Sequence, residues 1–462
     1  MNKKIVAFFL LFTFLITSGF GCKTVSTKTQ KAMEPITLEY WRVFDDGDAF
    51  QEIIEKYKQI HPNISINYRK FRIEEYEKEL IEAMAEDRGP DLFAVHNTWV
   101  KKYENKISPL PAEISMAYQV KKAGSDTPVP EMKTTASITA GDIQRLFPDV
   151  VAKDVVHDIT VKDEIVKNQI LGLPLSVDTL ALFYNKDLFN AAGIATPPQF
   201  WDQVFQDNVK KLSKQNPKRE IIKSGVALGA SKNIQRYSDV LTLLMMQNGS
   251  KILEDGRIVF HAIPENLSAT GYNPGLGALV FFTDFSNPTK YVYSWNDTLS
   301  DSLDMFISGN LAMTFAYSYD LATIQARAPK MNFGVAKIPQ IANNPEVNFA
   351  NYWLETVSKK SKYPNEAWDF IQFATKEEQA KLYLAKTNKP TALRSLIEEQ
   401  KKDPNLIHFA EQILTAKSWY QGKNPQAAEK AIGEMIDNAV KNYEQIQEVL
   451  EFGANQVQQT IQ

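Results

Sequence analysis

Residues 36–96 read ITLEYWRVFDDGDAFQEIIEKYKQIHPNISINYRKFRIEEYEKELIEAMAEDRGPDLFAVH, and the alternation of periods along them decides the fold class. Ile36–Val43 is β-branched and aromatic, a strand. Asp48-x-x-Gln51 resembles a capping box. Phe50, Ile53, Ile54, Tyr57 and Ile60 then follow at helical spacing. Pro62 closes that helix. Ile64, Ile66 and Tyr68 alternate with polar residues, the period of a half-buried strand. Tyr76, Leu80, Ala83 and Met84 mark a second amphipathic helix. Gly89-Pro90-Asp91 breaks the chain before a third strand at residues 92–96. The order β-α-β-α-β predicts an α/β layer with a mainly parallel sheet.

Downstream, residues 115–142 contain Gly124-Ser125-Asp126, Pro128, Pro130 and a Thr/Ser-rich run, and read as a loop insertion. Residues 171–185 (LGLPLSVDTLALFYN) are apolar and β-rich. Residues 237–247 form a strongly apolar helix closed by Asn248-Gly249. Short strands are expected at 309–315, 332–338 and 354–357, and a helix after Tyr363-Pro364-Asn365. Trp201 and Trp368 lie on amphipathic helix faces and belong to the core. Beyond Asp403 the chain is mostly helical, and no internal repeat is visible.

Upstream, residues 1–21 have the composition of a secretory signal. Asn2-Lys3-Lys4 is a positive start, residues 5–17 are almost wholly apolar, and Ser18, Gly19 and Gly21 are small. The only cysteine of the chain, Cys22, follows at once. Gly19-Phe20-Gly21-Cys22 resembles a bacterial lipobox, with Gly19 where leucine is usual. The alternative is plain secretion with a chance cysteine. Acylated Cys22 would anchor the chain to a membrane. Residues 22–35 read as a flexible tether. No later stretch is long and apolar enough to span a bilayer, so the body is expected to work outside the cytoplasmic membrane.

Composition excludes several functions. The 462 residues carry 52 Lys plus Arg against 55 Asp plus Glu, a net charge of −3. That balance lacks the basic signature of a nucleic-acid binder. A single cysteine and five scattered histidines offer neither a disulfide framework nor a metal centre. There is no His-Glu-x-x-His, no G-x-S-x-G and no Gly-Lys-Ser/Thr phosphate loop. Gly275-Leu276-Gly277 begins like a dinucleotide fingerprint but has Val280 at the third glycine. No cofactor is implied. Spacing alone picks no catalytic pair from the acids.

Aromatics make up 11% of the chain, and several follow strands beside polar residues. Trp41 precedes Asp45 and Asp46; His96, Asn97 and Trp99 follow the third strand. Tyr317 and Tyr319 follow the 309–315 strand, and Asn351, Tyr352 and Trp353 form another group. Ligands of open α/β sheets bind beyond the carboxyl ends of strands. Flat rings with convergent polar groups suit a sugar, whose C–H face stacks on a π face while its hydroxyls find acceptors.

The ordered set of motifs resembles the extracellular solute-binding proteins of family 1, the maltose- and oligosaccharide-binding components of ABC importers. The pieces are residues 36–41 with the helix ending at His61-Pro62, Gly89-Pro90-Asp91-Leu92, Leu171-Gly172-Leu173-Pro174 through Tyr184-Asn185-Lys186-Asp187-Leu188, and Pro197-Pro198 before Trp201. They continue with Ser308-Gly309-Asn310-Leu311-Ala312-Met313, Phe333-Gly334-Val335 before Ile338-Pro339, residues 358–362, Asn365-Glu366-Ala367-Trp368 and Pro390.

The resemblance implies a two-lobed periplasmic-binding-protein-like fold (type II), with mixed, mostly parallel sheets flanked by helices and several hinge crossovers. One lobe would hold residues 36–177 and 355–399, the other 180–353 and 407–462. Hinges would lie near 176–182, 353–357 and 400–406. It implies a monomeric, non-catalytic receptor that passes a carbohydrate to a permease and its ATPase. Carried over residue by residue, the cleft would receive Trp41, Asp45, Asp46, His96, Asn97, Trp99, Asp178, Tyr237, Tyr319 and, from the C-terminal region, Trp419. Where the family often has glycines, this chain has Asn351-Tyr352-Trp353, which narrow the cleft or add a stacking surface. A peptide, polyamine or phosphorylated polyol ligand, or a surface glycan hydrolase, are the competing readings.

Overall fold

The computed structural model describes residues 27–121, 128–161 and 163–461. The signal, Cys22 and Gly124-Ser125-Asp126 fall outside these. Two five-stranded sheets dominate. The first orders its strands Ile64–Phe71, Ile36–Val43, Leu92–His96, Trp353–Val357 and Leu173–Pro174. Its opening three strands pair in parallel, with Ile36 opposite Ile64 and Tyr40 opposite Leu92. The next two pairings are antiparallel: Trp353–Val357 runs against Leu92–His96, and Leu173–Pro174 runs against Trp353–Val357 and so in the direction of the first three strands. Most other pairings are antiparallel too, so the sheets are mixed and the parallel share is smaller than expected.

Ile36–Val43 is central and buried along most of its length, whereas Ile64–Phe71, at the edge, alternates buried with exposed. That is the difference that a continuous and an alternating apolar pattern predict. The first core gathers Leu38, Tyr40, Phe50, Tyr76, Leu354 and Trp368 around this sheet. The second sheet orders Lys214–Gln215, Ile221–Val226, Leu311–Ala316, Ala181–Asn185 and Phe333–Lys337. Its faces are covered separately: Leu182 points into a cluster with Phe205, Val240 and Ile436, while Phe183 joins Trp295, Phe306 and Phe409. Each core therefore sits on its own sheet.

The chain passes between the cores through a third, small sheet of Asp178–Thr179, Asn348–Asn351 and Ala416–Lys417. Two of the expected crossings move. Trp353–Val357 lies inside the first sheet, so the second passage is at Asn348–Asn351. The third follows the helix Ile407–Gln412, whose Phe409 packs on the second sheet while Ala410 packs on the first core.

Three local expectations are corrected. Residues 115–142 are not a loop. Glu113–Val120 and Val129–Ala136 form a hairpin in unbroken register, its turn residues lying at the tip. The tether is partly structured, with a short helix Thr27–Lys31 in which Thr29 is buried. Asn63 Nδ2 donates to the carbonyls of Ala32 and Glu34 just after it. Asp48 and Gln51 form no capping box: Asp48 is already helical, and Gln51 bonds Glu55 instead. Among the described residues no helix is long and apolar enough to cross a membrane.

Candidate functional site

The first strand ends at Val43, and Phe44 follows with φ of 67° and 52% of its surface exposed. A bulky ring in the left-handed region is strained by about 1–3 kcal/mol and persists only when its surroundings enforce it. Its neighbours do so. Asp45 is buried against Arg42, accepts the Tyr383 hydroxyl at 2.9 Å, and accepts Lys389 Nζ at 2.5 Å. The turn is held from one side while Phe44 faces out.

Strand register supplies the rest of an aromatic wall. Trp353 lies opposite His96. Its ring meets Phe44 at 5.8 Å, His96 at 5.6 Å and Trp99 at 5.4 Å, all edge to face, with Tyr76 beneath at 6.1 Å. His96 is fixed between the Thr98 hydroxyl at 2.8 Å and Asn351 Oδ1 at 3.0 Å. An acceptor at Nε2 assigns the proton there. Burial pulls its pKa down to about 4, against the Asn351 bond and with help from the charge of Arg236. His96 is thus a neutral ring. Asn351, which holds His96, lies opposite Asp178 on the small central sheet, so the wall adjoins the residues around Asp178.

The opposing surface is polar. Tyr317, at the exit of Leu311–Ala316, is buried and donates to Asp239 Oδ2 at 2.8 Å. Arg236 grips the same carboxylate through Nε at 2.9 Å and Nη2 at 2.5 Å, with its guanidinium 5.2 Å from the Tyr317 ring. Tyr319 stacks on Tyr317 at 5.7 Å and leaves 48% of its surface open. Asp178, on the small central sheet, accepts the Ser318 N–H at 3.0 Å, the Ser318 hydroxyl at 2.7 Å and the Thr179 N–H at 2.8 Å. The turn carrying Tyr319 is thereby tied to the crossing.

Asp178 is pushed up to about 7 by burial, against the hydrogen bonds from Ser318 and Thr179. Between about pH 4 and 7 the folded chain then holds a proton that the unfolded chain has released. This group therefore makes folding less favourable as pH rises through that window. Asp178→Asn is expected to gain stability relative to the parent across the window and to hold a constant difference above it. Urea unfolding of both across about pH 4–8 checks this; a difference independent of pH would sink it.

The other sequence candidates scatter. Trp41 faces inward, 5% exposed, packed on Phe71 at 4.6 Å below Arg69, because alternate residues of its strand point to opposite sides. It does not join the wall. Asp45 is committed to Arg42 and Lys389, and Asp46 is exposed beside Lys70 at 2.7 Å. Tyr237 bonds the Glu429 carbonyl at 3.2 Å and packs over Gly433. Trp419 is buried in the second core against Tyr420. Asn97 and Tyr352 turn instead to a buried carboxylate, Asp154. Tyr352 donates to it at 2.6 Å, and Asn97 Nδ2 donates to Ser418 at 2.7 Å, which itself bonds Asp154. A cavity of about 300 Å³ adjoins that seam, lined by Lys153, Asp154, Lys417, Ser418 and Gln421 among others. It does not include the aromatic wall, of which Phe44 is exposed and His96, Trp99 and Trp353 are half-buried.

The residues brought together are thus His96, Trp99 and Trp353 at the wall, Tyr317 and Tyr319 at the polar surface, and Asn351 and Asp178 paired on the small sheet between them. Sequence reasoning missed Phe44, Arg236, Asp239 and Lys389. Phe44 carried the same signal as Trp99, an aromatic just past a strand. Arg236, next to Tyr237, carried none. Among the described residues no group of acidic, histidine or cysteine side chains forms a metal site.

A model of bacterial extracellular solute-binding proteins matches residues 43–381. A putative binding protein of Brucella abortus (strain 2308), BAB2_0491, is 27% identical over 205 residues, 44% of this chain and 46% of that protein. The sn-glycerol-3-phosphate-binding periplasmic protein UgpB of Shigella dysenteriae is 28% identical over 239 residues, 47% of this chain and 48% of its own. The chain spans about half the length of the curated relatives it matches. A cyclo/maltodextrin-binding protein complexed with maltotetraose shares the fold at a TM-score of 0.68 and 18% identity, over 93% of this chain and 98% of the other.

Proposed function

Since the chain belongs to the bacterial extracellular solute-binding protein family, a group of ABC-importer components, we propose that its own solute is a carbohydrate, bound as an oligosaccharide between the lobes and released unchanged to a permease. The observation that carries this reading is the pairing of two unlike surfaces: the exposed ring of Phe44 with the half-buried rings of Trp99 and Trp353, and the part-exposed Tyr319 hydroxyl with the Asp178 carboxyl that holds its turn. A pyranose presents one apolar face and a rim of hydroxyls, and such a ligand meets both. The nearby cations are already matched, Arg236 by Asp239 and Lys389 by Asp45. No ionic excess calls for a charged ligand. We further propose a monomer held at the membrane by acylated Cys22, with two lobes between which the chain passes at residues 178–179, at 348–351 and after the helix 407–412.

A phosphorylated polyol is the second reading. The likeness to UgpB favours it, and so does Arg236, whose Nη1 has no carboxylate partner among the described residues. A thermal-shift screen separates the two. At one hundred times its Kd, a bound ligand stabilises by about 2.7 kcal/mol. Maltotetraose is expected to raise the melting temperature where glycerol 3-phosphate does not; the reverse result replaces the sugar with the phosphate ester. With the ligand in hand, Tyr319→Ala is expected to weaken binding roughly 5- to 30-fold without lowering the melting temperature of the free chain. Unchanged affinity would remove Tyr319 from the site.

A further inference from the structure

The two cores also touch through side chains outside the residues grouped above, at Glu77, Lys102 and Gln426. Glu77 lies on the helix Ile73–Ala85, whose Tyr76 and Leu80 are buried in the first core. It accepts the Tyr103 hydroxyl at 3.0 Å and pairs with Lys102 Nζ at 2.5 Å. Gln426 comes from the other side. It sits in the first turn of Pro425–Lys441, a 17-residue helix whose Ala428, Ile432 and Ile436 belong to the second core. Its amide reads both members of the ion pair at once: Oε1 accepts from Lys102 Nζ at 3.1 Å, and Nε2 donates to Glu77 Oε2 at 2.8 Å. The helix start is firm, with Asn424 capping the Ala427 N–H at 3.1 Å and Pro425 fixing the first position. The Glu77 carboxylate therefore also faces the positive end of a helix dipole. Lys102 Nζ lies over the Trp99 ring at 5.7 Å, so the contact adjoins the aromatic wall.

An amide is well chosen for this position. A carboxylate there would repel Glu77, and an ammonium would repel Lys102; only a neutral group with one donor and one acceptor satisfies both. The geometry points to Gln426 as a positioning residue that sets ligand affinity without touching ligand, by holding the lobes together in the unliganded chain. The contact is made entirely by protein groups, so it raises the closed fraction before any ligand arrives. Apparent affinity scales with that fraction. This inference rests on the reading of two lobes that close on a solute.

The test is small-angle scattering of the purified unliganded chain beside its Gln426→Ala and Gln426→Glu variants. The radius of gyration is expected to rise in Gln426→Ala and to rise further in Gln426→Glu, with melting temperatures unchanged. A purely structural role predicts lower melting temperatures with no change in size, and equal radii for all three chains overturn the inference. Glu77→Gln combined with Gln426→Ala should add little to either alone, since both remove one coupled contact. Affinity for maltotetraose is expected to fall roughly 5- to 30-fold in Gln426→Ala, the ratio that one or two exposed charge-assisted bonds control. Where the variants open and no sugar raises the melting temperature of any chain, the clasp stands and the carbohydrate reading falls. Where maltotetraose binds all three chains equally and the radii agree, the clasp falls and the carbohydrate reading stands.

Discussion

Glu355→Ala is expected to destabilise the chain by about 3–5 kcal/mol, the range for stranding one partner of a buried ion pair. Arg42 is 3% exposed and Glu355 2%. Arg42 Nε donates to Glu355 Oε1 at 2.9 Å, its Nη1 reaches Asp45, and its Nη2 donates to the Tyr383 hydroxyl at 3.2 Å. Tyr40 donates to the other Glu355 oxygen at 2.6 Å. With Lys389 on Asp45, two cations meet two carboxylates and the buried network is neutral. Removing Glu355 leaves one positive charge without its match and the Tyr40 hydroxyl without an acceptor. Neither can reach water. The guanidinium does keep the faces of Phe50 and Tyr383, at 5.2 and 5.3 Å, but such contacts are worth about 0.5–2 kcal/mol and do not replace a carboxylate. Glu355→Gln keeps the shape and an acceptor, so a smaller loss is expected. Urea unfolding measures both: the midpoint should fall with the slope unchanged. A loss for Glu355→Ala under about 1 kcal/mol would mean that the network is solvated.

That network also bears on function. Asp45 is one of its two carboxylates, and Phe44 immediately precedes it. Holding the Asp45 carboxylate between Arg42 and Lys389 fixes the turn in which Phe44 takes a positive φ. A loosened network would let Phe44 relax toward an ordinary backbone conformation and withdraw its ring from Trp353. Glu355→Ala should therefore weaken ligand as well as stability, although Glu355 is buried away from the wall.

The sequence makes the layers legible and the pairings much less so. Period carried the opening strands and helices, because the central strand 36–43 and the edge strand 64–71 bury different fractions of their faces and display it as composition. The hairpin at 113–136 was hidden by its own chemistry. Its second strand holds Glu131, Lys133, Thr134 and Thr135 and is largely exposed, so it carries no apolar alternation; the first strand alternates only over residues 113–116, and the Gly-Ser-Asp tip outweighed both. Among the residues that the structure groups together, the strand-exit rule points to His96, Trp99 and Tyr319, since residues at or just past the end of a strand of an open sheet stand at the same edge. It failed for Trp41, which is inside its strand and one step out of phase. It was silent on Arg236 and Lys389, which reach the site from segments far away in the chain. Asp45 illustrates the same limit: an acid at a strand exit looks like a sugar acceptor until the buried arginine and lysine that consume it are seen.

Trp353→Ala is expected to cost at least about 2 kcal/mol of binding free energy, roughly a thirtyfold loss in affinity, as for an aromatic anchor at the centre of an interface. The expectation comes from position rather than from residue type. Trp353 is the one ring that touches Phe44, His96 and Trp99 together. Each of those contacts is edge to face, so Trp353 is the wedge that keeps the other rings apart and oriented. Deleting it removes its own stacking face and frees Phe44, whose strained backbone then has one less constraint. Tyr319→Ala should cost less, because Tyr317 and Arg236 behind it remain paired through Asp239. Trp353→Phe distinguishes shape from surface: it keeps a ring on the same strand and should recover part of the loss. Calorimetric titration with the ligand found by the thermal-shift screen reads all three variants. Affinity within twofold of the parent for Trp353→Ala would place the bound solute off the aromatic wall, and with it would go the argument that a flat apolar face is what this cleft selects.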